Sequence, residues 1–127
     1  MKHILLILLS LALSQITYAQ NQQDMVASAL DEYGKVAGAW FLNERCNYLE
    51  SDEKQVFKDN VALITVALGK DLGGPKMLYM VQGGAKKATD DPKYSDCSGT
   101  TKELFDYGHN HSKNWSDQIR KFQKNNG

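Results

Sequence analysis

Cys46 and Cys97 are the only cysteines in this chain of 127 residues, and 51 positions separate them. Whether such a pair is a bridge, a metal site or a redox couple turns on the compartment, and the N-terminus speaks to that. Lys2 and His3 precede the compact apolar run Ile4 to Leu13, and Thr17-Tyr18-Ala19 puts small residues at the two positions a signal peptidase inspects. This order predicts a signal peptide over residues 1–19, a mature N-terminus at Gln20, and a secreted or periplasmic location. Disulfides persist in such compartments. A metal or redox role for the thiols would call for a CxxC spacing or adjacent histidines, and neither cysteine has them. A Cys46–Cys97 disulfide is therefore expected, and closing a loop of 51 residues stabilises a fold by about 4 kcal/mol on chain-entropy grounds.

The apolar run falls short of the roughly 20 residues that a bilayer-spanning helix requires. No cysteine follows it closely enough for lipidation. No stable membrane insertion is expected once the signal is cleaved. Removing 19 of the 127 residues leaves 108, a common size for one domain with one core, so 20–127 is expected to be a single helical domain. Basic and acidic residues balance at 15 each, and loss of Lys2 makes the ratio 14 to 15. Such a balance gives no electrostatic reason to bind nucleic acid.

Four segments carry the helical period. Val26, Leu30, Tyr33, Ala37, Trp40 and Phe41 recur at intervals of three and four, and predict a helix from about Asp24 to about Tyr48. Gly34 and Gly38, four apart beside this stripe, suggest a close approach of two helices. Ser51 followed by Asp52 and Glu53 marks a second helix start. Phe57, Val61, Ile64 and Leu68 form its apolar stripe, and Gly69 occupies the position of a left-handed C-cap. Gly73-Gly74-Pro75 breaks the chain, and Pro75 suits the first position of a third helix with Met77, Leu78, Val81, Ala85 and Ala88 on its buried side. Gly83 and Gly84 predict a break or bend there, since each costs about 1 kcal/mol against alanine. After a polar linker through Pro92, Thr100 and Glu103 have the spacing of a capping box. Leu104, Gly108, His111, Trp115, Ile119 and Phe122 supply the apolar face of a fourth helix.

Cys46 then lies at the end of the first helix and Cys97 just before the fourth. An up-down bundle with short connections brings those two ends to one pole. The expected fold is all-α, a small up-down four-helix bundle-like domain stapled by one disulfide, with Trp40, Phe57, Ile64 and Trp115 in its core.

Chemistry is sparse. His109 and His111 are the mature histidines, but residues two apart on a helix point about 200° from one another. One ion cannot take both without distortion, and the expectation is that His111 lies on the apolar stripe while His109 faces water. No serine sits in a nucleophile setting. The glycines from Gly69 to Gly74 lack the lysine and hydroxyl residue of a phosphate loop. No catalytic residue, metal or cofactor is assigned. Tyr48 and Tyr94 flank the two cysteines, and half-exposed aromatic rings are enriched at interfaces. They are the candidate interface residues for a protein partner.

In outline the chain resembles small helical periplasmic proteins such as immunity proteins against secreted amidases, which pair a signal peptide with a few helices and a disulfide. The resemblance is one of architecture and assigns no residue. It implies non-enzymatic protein binding by an inhibitor, immunity-type or chaperone-like module. The alternative is a small-ligand or metal carrier using the space between the helices or the His109/His111 patch.

Overall fold

The computed structural model describes the backbone of residues 2–126 and the side chains of residues 20–126. The predicted signal segment, 1–19, lies outside the residues whose side chains are described. The described chain is all-helical: α1 spans Lys2–Cys46, α2 Ser51–Asp71, α3 Lys76–Thr89 and α4 Thr100–Asn126, with a single 3-10 turn at Pro92–Tyr94. Among the described residues no helix is long and apolar enough to cross a membrane. The chain divides into two units, 1–31 and 32–127. The first is helical, and its side chains from Gln20 to Ser28 are exposed.

The first helix is longer than its stripe predicts, because nothing between Ala19 and Asp24 is a helix breaker. It ends at Cys46, two residues before the expected Tyr48. Asn47 takes a positive φ of 51° there, its N–H bonded to the Asn43 carbonyl at 2.8 Å. Asparagine tolerates this left-handed conformation better than most residues do. The Asn43 carboxamide holds the turn from within by accepting the Leu49 N–H at 3.0 Å.

At the other end of α2, the Gly69 cap is not used. The helix continues to Asp71, and the left-handed residue is Gly73, with φ 77°. The Gly74 N–H closes the turn on the Gly69 carbonyl at 2.8 Å. Pro75 is the N-cap of α3, one position before the first helical place expected for it. The predicted break at Gly83 and Gly84 does not occur, and α3 runs through both.

From Tyr33 to Arg45, α1 touches all three other helices. Toward α3, a Cβ on Gly34 would lie 3.4 Å from Val81, and one on Gly38 would lie 3.7 Å from Thr89. Toward α2, the Tyr33 hydroxyl meets Thr65 at 2.9 Å and Trp40 packs edge-on to Phe57 with centroids 5.5 Å apart. Toward α4, Gly108 sits so near that a Cβ would fall on the Lys35 carbonyl and 2.6 Å from the Ala39 Cβ.

That close approach sets which face of α4 is buried. The buried residues are Thr101, Phe105, Gly108, His109, Ser112 and Ser116. Of the expected stripe Gly108 is buried, whereas Leu104 and Phe122 are exposed and His111, Trp115 and Ile119 half-buried, so the buried face is turned by about one residue. The serines satisfy their hydroxyls on their own helix, Ser112 on the His109 carbonyl at 2.7 Å and Ser116 on the Lys113 carbonyl at 3.0 Å. They therefore pack as small residues without an unmet hydrogen bond. The core cluster is Val36, Ala39, Leu42, Phe57 and Phe105. Ile64 is fully buried as expected, whereas Trp40 and Trp115 are half-buried and pack on the core from its edge.

Candidate functional site

Three ties join helix ends at one pole. The Cys46–Cys97 disulfide links the last residue of α1 to the loop before α4, with Cα atoms 5.6 Å apart. The Tyr48 hydroxyl donates to the Cys97 carbonyl. The Arg45 guanidinium donates to the Thr89 carbonyl at the end of α3, at 2.6 Å. A helix C-terminus carries unpaired carbonyls and a partial negative charge, so an arginine from a neighbouring helix suits it doubly.

Tyr48 is built into this pole. Its ring stacks on Phe105 with centroids 4.6 Å apart, and Lys102 lies 5.1 Å above its face. Burial pushes its phenol above the ordinary range, with the Asp106 and Asp96 charges adding and Lys102 and Arg45 opposing. Tyr94, on the 3-10 turn, also packs against the core while its neighbours Lys93 and Ser95 are exposed. Both tyrosines roof the core and leave part of each ring at the surface. Asp96, beside Cys97, accepts from the Ser98 N–H and hydroxyl, and these bonds hold its carboxyl below the usual range.

The two histidines are not brought together, and their environments are the reverse of those expected. His109 is the buried one, 8% exposed. It is stacked on Phe105 and set edge-on to Phe57, at 5.2 and 5.0 Å. Burial holds its pKa below the ordinary value, with Lys113 and Lys102 adding and Glu53 and Asp106 opposing. His111 is half-exposed on another side of α4, where its Nε2 lies 3.3 Å from Glu32. The same carboxylate accepts from the Tyr107 hydroxyl at 2.8 Å and from Lys35 at 3.2 Å. Burial works against the Glu32 charge, but the bonds from Tyr107 and Lys35, with the Lys35 and His111 charges, outweigh it and hold the carboxyl below its usual value. Among the described residues no group of three His, Cys, Asp or Glu side chains is placed to hold a metal ion.

A further feature went unread in the sequence. One to two turns before the pole, α1, α2 and α3 enclose an open groove of about 300 Å³ lined by Ala37, Trp40, Phe41, Lys58, Val61, Ala62 and Gln82. The signal for it was the adjacent pair Trp40-Phe41. Successive residues on a helix diverge by about 100°, so two bulky rings side by side cannot both point into one core. Lysines stand over both rings, Lys54 at 5.9 Å from the Trp40 centroid and Lys86 at 5.7 Å from that of Phe41. A run of hydrogen bonds joins two lining residues, Gln82 and Val61: Gln82 Nε2 donates to Tyr33, whose hydroxyl lies 2.9 Å from Thr65, which donates to the Val61 carbonyl at 2.7 Å.

No protein-family model, curated protein or solved structure matches the chain.

Proposed function

We propose that this is an exported helical module, cleaved after Ala19 and released to the periplasm or the exterior, that acts by binding another protein and not by catalysis. Its helices are taken in up-down order, and its binding face is the disulfide pole, with Tyr48 and Tyr94 presented there. The observation that carries this reading is the triple tie of Cys46–Cys97, Tyr48 to Cys97 and Arg45 to Thr89, which braces the ends of α1 and α3 and the start of α4 at one place. A braced surface loses less conformational entropy on binding than a loose one.

Affinity capture from the native envelope, with the oxidised protein as bait, tests it. A stoichiometric protein partner is the supporting result, and weaker capture by the folded Tyr94→Ser variant would place the contact at the pole. Tyr48→Phe is the companion variant, because it keeps the stack on Phe105 and removes only the hydroxyl. Recovery of a small molecule with no protein would replace this reading with the second one, a small-ligand carrier. That alternative draws support from the groove beside Trp40 and Phe41, whose volume of about 300 Å³ lies at the lower end of ligand pockets.

A further inference from the structure

The groove between α1, α2 and α3 is lined by apolar side chains and by Lys58, and Lys54 and Lys86 lie over two of its rings. Trp40, Phe41, Val61 and Ala62 offer rings and methyl groups. Lys58 lines the groove and forms no ion pair with any described residue. Lys54 and Lys86, over the two rings, are paired with Glu44 at 3.3 Å and with Asp90 at 3.5 Å. Both pairs are solvent-exposed, and such pairs exchange readily for another carboxylate because each contributes little. Three lysines against the two carboxylates of Glu44 and Asp90 leave one uncompensated positive charge, that of Lys58, at the groove. That charge is concentrated where aromatic surface is also on offer.

We propose that this groove receives an acidic segment of the partner protein, one or two large apolar side chains entering between Trp40, Phe41 and Val61 while flanking carboxylates meet Lys58, Lys54 and Lys86. The proposal rests on the protein-binding reading and specifies the partner's chemistry. Helical grooves of this kind take a partner segment by its apolar anchors, and rim charges set orientation and on-rate. Gln82 favours a polypeptide over an alkyl chain. Gln82 lines the groove and its carboxamide is fixed in orientation through Tyr33 and Thr65, and a fixed amide matches peptide N–H and C=O groups that a fatty chain lacks. The groove also adjoins the braced pole, since Phe41 precedes Arg45 by one turn and Lys86 precedes Thr89 by three residues.

A random dodecapeptide library displayed on phage, selected on the oxidised protein, tests this without knowledge of the partner. Enriched peptides are expected to carry Asp or Glu around a large apolar residue. Their binding should move the indole N–H resonance of Trp40 and leave that of Trp115 in place. The double variant Lys58→Glu, Lys86→Glu should weaken binding by about tenfold or more, and Ala62→Trp, which fills the groove from an exposed position, should abolish it. Lys58→Arg should retain it. Helical circular dichroism checks that each variant folds. Failure to enrich any peptide, enrichment of neutral or basic ones, or unchanged binding by both groove variants would overturn the assignment. So would movement of the Trp40 resonance by laurate with no peptide enriched, which would assign the groove to a small anionic amphiphile. If affinity capture succeeds and survives both groove variants, protein binding stands and only the groove falls. If capture finds no protein, the function itself is wrong.

Discussion

Gly108 of α4 faces Ala39 of α1 with no room for a methyl group: a Cβ there would lie 2.6 Å from the Ala39 Cβ and would also strike the Lys35 carbonyl. Backbone cannot give way as a flexible side chain can. Gly108→Ala is therefore expected to destabilise the fold by about 1–3 kcal/mol, overriding the helix-propensity gain of about 1 kcal/mol. Gly83 and Gly84 of α3 are the internal control, because a Cβ on either would meet nothing within 4 Å. Alanine at each should raise stability by about 0.5–1 kcal/mol. Urea denaturation of the three single variants checks both signs, and a stabilised Gly108→Ala would show that α1 and α4 do not approach this closely.

The placement of His109 between Phe57 and Phe105 makes stability depend on pH. Its folded-state pKa lies below the ordinary 6.5 because burial disfavours the imidazolium. The unfolded chain then binds the proton more tightly, so the contribution of the neutral ring is complete above about pH 6.5 and is lost as pH falls through the folded value. Thermal unfolding followed by circular dichroism should show the midpoint dropping between about pH 7.5 and about pH 5.5. His109→Gln should be less stable at the upper pH and show a flatter dependence. Glu32 acts in a lower window, since its carboxyl is held below the ordinary 4.5 and its contribution is lost as pH falls below that. An unchanged slope in His109→Gln would assign the pH dependence to another group.

Reduction of Cys46–Cys97 should lower the thermal midpoint by roughly 15–30 °C, from about 4 kcal/mol of loop entropy in a domain of this size. Tyr48→Phe should cost far less, on the order of 1 kcal/mol for one hydrogen bond. A reduced protein with an unshifted midpoint would mean that Tyr48 to Cys97 and Arg45 to Thr89 hold the pole without the covalent link.

Much of the helix layout was legible because it depends on local chemistry. Ser51 with its two acidic followers marks the start of α2, although Glu50 takes the cap position and no side chain caps it, and Pro75 after two glycines and the two cysteines at the ends of helical stripes mark the other boundaries. The face of α4 was not legible. A hydropathy stripe ranks Leu104 above Thr101 and Trp115 above Ser112, whereas packing against Ala39 and Lys35 selects the side with Gly108, Ser112 and Ser116, where side chains are smallest. That one-residue turn carried His109 inward and His111 outward, and it hid Phe105, the aromatic on which Tyr48 and His109 both stack. The groove escaped notice for a related reason. Trp40 and Phe41 share one apolar stripe in the sequence, while the lysines that stand over them come from α2 and α3 and share no local pattern with them.

Phe57 is the hub of the aromatic core. Its ring lies 5.5 Å from Trp40, 5.0 Å from His109 and 6.3 Å from Phe105, so it joins α1, α2 and α4 at once. It is fully buried, and truncation leaves a cavity that three helices would have to move to fill. Phe57→Ala should cost about 3–5 kcal/mol, a large part of the roughly 5–15 kcal/mol that a small domain has in reserve. Trp115→Ala should cost less despite the larger side chain, because Trp115 is half-buried and meets the core only from its edge. Chemical denaturation of both variants under oxidising conditions ranks them. A larger loss at Trp115 than at Phe57 would restore the stripe through His111 and Trp115 as the buried face of α4 and would overturn the packing of that helix described above.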